Sequence, residues 1–162
     1  MTVARGDIRN SAYNSRAKHY MWGLMCEYFP RKISPTDVDN FIEMSNCFFL
    51  FEGKTRGKKI DTGQWLALKR LLLALPEGRA VLAVGTHSSL EVVDVKNQLD
   101  GAQFYWHVGG ELQYSPAMRE PSSLFHLCQL FQEDAESLGF LRCSTWFERW
   151  QRLAEPFEDG AA

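Results

Sequence analysis

Two acidic residues and a lysine near the ends of adjacent predicted strands are the part of this sequence that could carry chemistry. Asp39, Glu52 and Lys54 lie within the stretch PTDVDNFIEMSNCFFLFEGK. Side chains of a strand repeat every two residues, so Glu52 and Lys54 project from the same face. A tight turn at Ser45 and Asn46 would bring Asp39 beside them on the partner strand. We therefore expect two carboxylates and an ammonium group to converge.

Two carboxylates at close quarters repel each other unless a cation lies between them. Carboxylate oxygens suit the hard cations Mg²⁺ and Mn²⁺. We predict that Asp39, Glu52 and the backbone carbonyl of Gly53 are the ligands of such an ion. Lys54 would orient the attacking water and offset charge in the transition state. Hydrolysis of a phosphodiester needs this combination, because an anionic diester repels hydroxide until a cation neutralises it.

A local run of basic residues follows, and it includes Arg56, Lys58 and Lys59. Two interpretations stay open for these residues: a path for nucleic-acid phosphates, or a solvated turn. The formal net charge of the chain is −2. That charge argues against a general nucleic-acid coating protein, but an enzyme needs positive charge only along the path of its substrate.

The elements around these residues predict an α/β fold with a mixed central sheet flanked by helices. In the hairpin of DVDNFIEM and CFFLFEGK, the second strand is apolar on both faces, which places it in the middle of a sheet. GQWLALKRLLLAL predicts a helix and RAVLAVGTH a third strand. Further strands are expected at VVDVKNQ and AQFYWHVG, and helices at NSAYNSRAKHYMWGLMCEY, SSLFHLCQLFQEDAESLG and STWFERWQRLAEPF. We interpret the aromatic residues Phe104, Tyr105 and Trp106 as core.

Composition bounds the class of protein. No apolar run approaches the roughly 20 residues of a membrane helix, and the first residues lack the hydrophobic region of a secretory signal, so we expect a cytoplasmic protein with no membrane partner. The 4 cysteines and 4 histidines are dispersed, which predicts reduced thiols and no structural zinc site. GxGxxG, GxxxxGK[ST] and GxSxG motifs are missing, so nucleotide-binding and serine-hydrolase functions are not favoured.

Together these residues resemble the PD-(D/E)XK nuclease superfamily, particularly the branch of archaeal-type Holliday-junction resolvases and VRR-NUC domains. Asp39 matches the first signature acid of that family, and Glu52-Gly53-Lys54 matches its E-x-K motif. Gln64 matches a glutamine that opens the following helix in several members. The resemblance therefore implies a restriction-endonuclease-like core, with Gln64 added to the catalytic residues.

The family pattern leaves two further acids as candidate metal ligands. The family's proline stands directly before its acid, whereas here Pro35 is separated from Asp39, so Asp37 could share or replace the role of Asp39. Many members add a glutamate from the first helix. Glu27 is the acid late in that predicted helix, and its alternative is an ordinary surface residue.

The resemblance covers roughly residues 13–87. Length and composition predict one domain over residues 1–162, with a nuclease-like core at about 10–100 and a C-terminal helical extension at about 120–157. The resemblance implies a Mg²⁺- or Mn²⁺-dependent endodeoxyribonuclease that acts on branched, flap or junction DNA as a homodimer. Small nucleases of this type suit a phage or mobile element. The sequence does not distinguish DNA from RNA. The alternative is a non-catalytic module that binds nucleic acid or protein with a nuclease-like fold.

Overall fold

The structure, a computed structural model, describes residues 39–55, 57–87, 98–117 and 122–154. The strands are β1 (Asn40–Met44), β2 (Cys47–Thr55), β3 (Ala80–His87), β4 (Gln98–Leu99), β5 (Gly101–Val108), β6 (Glu111–Tyr114) and β7 (Ser122–Ser123). The helices are α1 (Thr62–Ala74), α2 (Leu124–Leu138) and α3 (Cys143–Ala154). The first predicted helix and nearly all of the predicted strand VVDVKNQ lie outside the described residues.

Five of the strands form one mixed sheet in the order β1-β2-β3-β5-β6. β2 and β3 are parallel, and every other neighbouring pair in this sheet is antiparallel. β4 and β7 form a separate two-stranded antiparallel sheet. The prediction of an α/β fold with a mixed central sheet is confirmed. β2 lies between two neighbours, as expected for a strand that is apolar on both faces.

The hairpin of β1 and β2 turns at Ser45 and Asn46, whose φ angles are 54° and 59°. Two consecutive residues with positive φ are typical of the two-residue type I′ turn, whose twist matches that of the flanking strands. The turn sets the register, in which Asn40 pairs with Phe51. β1 therefore begins one residue after Asp39.

The sheet separates two apolar cores. On one face α1 packs through Leu68 and Leu72 against sheet residues such as Leu50. On the other face α2 and α3 pack against the sheet. The buried side chains there include Phe49, Val81, Phe104, Leu127, Leu130, Trp146 and Trp150. Aromatic side chains of this kind each remove about 150–250 Å² from water, so α2 and α3 contribute much of the apolar burial.

A buried carboxylate joins α2 to α3. Asp134 is fully buried and accepts hydrogen bonds from the Arg142 backbone N–H at 2.9 Å, from Trp146 Nε1 at 2.7 Å and from Arg149 Nη1 at 3.0 Å. These three donors bind Asp134 Oδ2, and Arg142 Nη2 donates to the other carboxylate oxygen, Oδ1, at 3.1 Å. Burial raises the pKa of Asp134, but the hydrogen bonds from Trp146, Arg149 and Arg142 outweigh it, and the pKa lies below its ordinary value.

The described cysteines, Cys47, Cys128 and Cys143, are free. Burial raises the pKa of each thiol above its ordinary value, which makes the reactive thiolate form scarce at neutral pH. Among the helices that the structure describes, none has the length and apolar character needed to cross a membrane.

Candidate functional site

The candidate site lies at the carboxyl ends of the parallel strands β2 and β3. The parallel register aligns Glu52 with Val84 and Lys54 with Thr86. In open α/β sheets, ligands commonly bind at the carboxyl ends of parallel strands, where the chain leaves the sheet and side chains from neighbouring strands meet. The predicted pair Glu52 and Lys54 thus occupies this position.

Asp39 lies directly before β1 and contacts the end of β2. Because Asn40 pairs with Phe51, position 39 is opposite Glu52. The Oδ2 atom of Asp39 accepts a hydrogen bond from the backbone N–H of Gly53 at 2.7 Å. In an antiparallel pair, the N–H and C=O of one residue are directed to the same neighbouring strand. The carbonyl of Gly53 is therefore directed to the side of β2 on which Asp39 lies.

Glu52, Lys54 and Gln64 form a closed set of contacts on the α1 face of the sheet. Glu52 Oε1 contacts Lys54 Nζ at 2.5 Å and accepts a hydrogen bond from Gln64 Nε2 at 2.8 Å. Gln64 Oε1 accepts a hydrogen bond from Lys54 Nζ at 3.0 Å. A flipped Gln64 amide would set its NH₂ group against the ammonium and its oxygen against the carboxylate, so its orientation is determined by these two charges.

The second carboxylate oxygen of Glu52, Oε2, makes no such contacts within the described part of the chain. Glu52 is 1% exposed, and its Oε2 atom is buried with no hydrogen-bond partner among the described residues. Leaving a buried polar atom unpaired costs about 1–3 kcal/mol, and more when the group is charged. A divalent cation at Oε2 would remove this cost, because carboxylate oxygens are the ligands that Mg²⁺ prefers. The chemistry of this atom therefore fits a cation ligand.

The described residues contain no group of three or more His, Cys, Asp or Glu side chains that could hold a metal ion. Asp39 and Glu52 would have to be completed by oxygens of other kinds, such as the Gly53 carbonyl, water or substrate phosphate. Mg²⁺ typically binds in this way, through one or two carboxylates while it keeps several waters. The acids Glu27 and Asp37 and the basic residue Arg56 lie outside the described residues.

His87 lies next to the site, although the sequence did not indicate it as a site residue. A Cβ atom built on Gly53 would lie 3.4 Å from Asp39 Oδ2 and 3.9 Å from His87 Cδ2. Asp39 and His87 thus both lie close to Gly53. The parallel register pairs His87 with Thr55. The sequence contained one indication of this position: His87 ends the predicted strand RAVLAVGTH, and the carboxyl ends of parallel strands lie at the same edge of a sheet.

A cleft of about 240 Å³ adjoins Lys54 on the face of the sheet that α1 covers. Its lining consists of Lys54, Lys58, Lys59, Ile60, Trp65, Val84, Thr86 and Tyr105. The predicted nucleic-acid-binding residues Lys58 and Lys59 are exposed and are brought together with Lys54. Phe104 is core as expected. Tyr105 and Trp106 are partly buried and pack against the two cores, and Tyr105 also lines the cleft.

Comparison with known proteins identifies no family for this chain. No protein-family model, no curated protein and no solved structure matches it. What the site can do chemically must therefore be inferred from the contacts of its own residues.

Proposed function

We propose that this protein is a metal-dependent nuclease of the PD-(D/E)XK type, which hydrolyses DNA phosphodiester bonds with Asp39, Glu52 and Lys54. The observation that carries the proposal is the asymmetry of the Glu52 carboxylate. Lys54 and Gln64 hold its Oε1, while Oε2 has no partner among the described residues. Among the described residues Asp134 is the other fully buried acid, and it uses both oxygens in hydrogen bonds. Asp134 is therefore satisfied as a structural carboxylate, whereas Glu52 keeps one oxygen without a described donor. Asp100 Oδ2, on a partly buried residue, is also buried without a partner among these residues.

Asp39, Glu52 and the Gly53 carbonyl would hold the Mg²⁺ or Mn²⁺ ion. When bound, the ion would lower the pKa of water and neutralise charge on the phosphate. Asp39 is exposed, but its hydrogen bond to the Gly53 N–H fixes its carboxylate at the edge of β2. Glu52 is fixed by burial and by Gln64. Each carboxylate is thus held in place by its own hydrogen bond, which supports its proposed role as a ligand.

Lys54 would serve the reacting phosphate, and its contacts support this role. A lysine ammonium has three N–H donors, and the contacts with Glu52 and Gln64 occupy two of them. The third remains for a phosphate oxygen or the attacking water. The Lys54 side chain is 21% exposed and also lines the cleft. Its charge can therefore stabilise the negative charge that develops in the transition state.

The restriction-endonuclease-like core belongs to the same proposal. It is supported by the order of a hairpin, a helix on one face and a strand parallel to the second hairpin strand. The branched or flap DNA substrate, action in the cytoplasm and a two-fold homodimer follow from the resemblance. A homodimer would present two sites related by symmetry to the two strands of a junction.

One observation favours a second candidate, a non-catalytic module that binds nucleic acid or protein. The charge of Glu52 is already matched by Lys54, and a buried ion pair can persist for structural reasons alone. This candidate predicts that no divalent cation binds at Glu52. Binding of Mn²⁺ therefore distinguishes the two functions.

The proposal is tested by incubating the protein with labelled linear, flap and four-way-junction DNA, and with RNA, in Mg²⁺, Mn²⁺ or EDTA. Glu52→Gln and Lys54→Ala should each lower the cleavage rate by about 100-fold or more. The matched controls are Glu111→Gln, an exposed acid in β6, and Lys69→Ala on α1. Both should retain cleavage. Calorimetry should show Mn²⁺ binding that Glu52→Gln removes and Glu111→Gln keeps.

If no DNA or RNA is cleaved in either metal and Mn²⁺ does not bind, the nuclease proposal is wrong. The fold would then serve binding only. Cleavage that survives both EDTA and Glu52→Gln would place the activity elsewhere or assign it to a contaminant.

A further inference from the structure

The cleft beside Lys54 combines positive charge with two aromatic rings. Trp65 of α1 and Tyr105 of β5 line it together with Lys58 and Lys59. The centroids of the two rings are 4.9 Å apart, and the ring planes are inclined at 64°. Such an edge-to-face contact covers one face of only one ring. The arrangement provides aromatic surface next to ammonium groups.

The Tyr105 ring is held in place by polar contacts at its far end. Its hydroxyl donates a hydrogen bond to Gln103 Oε1 at 2.7 Å, and Gln103 Nε2 donates to the Ser115 carbonyl at 2.9 Å. Burial, followed by the nearby Tyr114, raises the pKa of Tyr105 above its ordinary value. The phenol is therefore neutral near pH 7 and does not repel an anion. A fixed neutral ring loses little entropy when a planar ligand stacks on it.

Size and charge narrow the class of ligand. The cleft, at about 240 Å³, is below the roughly 300–1,000 Å³ of pockets for drug-sized ligands. Its described lining includes three lysines and no acidic side chain. A small ligand that is planar and aromatic at one end and anionic at the other matches these properties. A single nucleotide has this combination.

We infer that the cleft binds one unpaired nucleotide of the nucleic-acid strand, with its base against Trp65 and Tyr105 and its two flanking phosphates on Lys58 and Lys59. This inference rests on the proposed nuclease function, because Lys54 lines both the cleft and the candidate metal site. A nucleotide in the cleft would sit next to the phosphate at Lys54. The preferred substrate is therefore a flap, a frayed end or a single strand.

A base that is paired in a duplex could enter only after it is unstacked and flipped, which costs energy, and least where the base is already unpaired. Base–aromatic stacking tolerates any base, because every base has a π-face. The cleft should therefore select unpaired structure over base sequence.

The inference is tested by fluorescence anisotropy with the Glu52→Gln full chain, which keeps the strand intact. The probes are labelled oligothymidine of 8 nucleotides, an abasic strand of the same length, and a blunt duplex. Trp65→Leu should weaken oligothymidine binding by about 5-fold or more and change abasic binding by less than about 2-fold. Trp65→Phe should recover most of the loss. Phe140→Leu, an aromatic residue that is 47% exposed and lies outside the cleft lining, is the matched control.

Equal affinity of the unsubstituted cleft for oligothymidine and the abasic strand would overturn the inference, as would Trp65→Leu binding that matches the parent. Thymidine monophosphate should compete only at concentrations far above those of the oligonucleotide. Competition at similar concentrations would indicate a site for free nucleotides and would also overturn it. Base-dependent binding in a protein that cleaves no strand would keep the cleft assignment and reject the nuclease, whereas cleavage without base dependence would do the reverse.

Discussion

Gln64 connects α1 to the candidate site and touches both charged partners, Glu52 and Lys54. It contributes no charge and no cation-binding carboxylate, so in the proposed nuclease it would be a positioning residue. Without it, Glu52 Oε1 would lose one donor and Lys54 one acceptor. The ammonium and carboxylate would still attract each other, but nothing on α1 would fix where they meet. Residues that orient metal ligands in this way typically affect affinity or activity by about 10- to 100-fold.

We predict that Gln64→Ala lowers the single-turnover cleavage rate by about 10- to 100-fold while the melting temperature stays nearly unchanged. The small effect on stability follows because α1 is anchored by Leu68 and Leu72. Gln129→Ala is the matched control, since it also removes an amide that hydrogen-bonds a carboxylate, here Glu133 at 2.9 Å on an exposed helix face. Equal rates for the two variants would reject the positioning role of Gln64.

Gly85 in β3 is a second position where one residue constrains the structure. A Cβ atom built there would lie 2.8 and 2.9 Å from two ring atoms of Phe51 and 3.1 Å from Leu99 Cδ2. Ring atoms of a buried phenylalanine cannot move aside without disturbing the core. We predict that Gly85→Ala lowers the free energy of unfolding by about 1–3 kcal/mol, measured by urea denaturation.

Gly63→Ala provides the comparison for Gly85→Ala. Gly63 lies in α1, where an added Cβ would meet nothing within 4 Å. This substitution should raise stability by up to about 1 kcal/mol, because alanine loses less backbone entropy in a helix. Adding Phe51→Leu to Gly85→Ala should recover part of the loss. If the effects of Gly85→Ala and Phe51→Leu on the free energy of unfolding simply add, contact with the Phe51 ring is not the cause of the loss.

At the scale of elements, those with a clear local hydrophobic pattern could be predicted. Strands β1, β2, β3 and β5 and helices α1, α2 and α3 were expected from local patterns and are present. β6 was not predicted, although Gly109 and Gly110, with φ angles of 59° and 77°, form a turn of the kind that joins hairpin strands. The antiparallel pairing of β3 with β5 could not be predicted, because alternating apolar residues do not specify a distant partner strand.

In the candidate site, too, the contacts that follow from local sequence could be predicted and the others could not. The closeness of Glu52 and Lys54 follows from strand periodicity, and the contact of Asp39 with Gly53 follows from the hairpin register. His87 at the site and Tyr105 in the cleft were not predicted there, because their positions depend on the lateral order of β2, β3 and β5. That order is set by the packing of the whole sheet.

The contact between α2 and α3 yields a prediction at this scale. Asp134 looks in the sequence like a solvated helix residue, yet it is fully buried and paired with Arg142 and Arg149. Removing one partner of a buried ion pair is strongly destabilising. Asp134→Asn should therefore lower the free energy of unfolding by about 3 kcal/mol at pH 7. Glu133→Gln, whose side chain is 49% exposed, should change it by no more than about 1 kcal/mol.

The difference in stability between the parent and Asp134→Asn should decrease at acidic pH. The pKa of Asp134 in the folded protein lies below its ordinary value of 3.8. The stabilisation is therefore fully present above the pKa of the unfolded chain, and it is lost as the pH falls through the lower folded pKa. Urea denaturation should show a constant difference between the parent and Asp134→Asn above about pH 5 that shrinks below about pH 4. A difference that grows on acidification would contradict this assignment.

For the whole molecule, the net charge of −2 means that the proposed binding of nucleic acid would need local clusters of positive charge, and the cleft provides one of them. Its three lysines would neutralise about three phosphates of a single strand, so the logarithm of the binding constant should fall with the logarithm of salt concentration with a slope of about −2. Between 50 and 200 mM salt, binding would weaken by about 20-fold. The overall charge of −2 repels nucleic acid at neutral pH and therefore cannot supply this affinity.

We predict that the double substitution Lys58→Ala and Lys59→Ala reduces the magnitude of this slope by about 1.4, because two phosphate contacts are lost. Lys69→Ala with Arg70→Ala removes the same charge from α1 outside the cleft lining. This control should leave the slope almost unchanged, since only ammonium groups that contact phosphates release counterions. Oligothymidine binding measured by anisotropy at four salt concentrations decides the matter. Equal slopes for the two double variants would mean that the bound strand does not pass through the cleft.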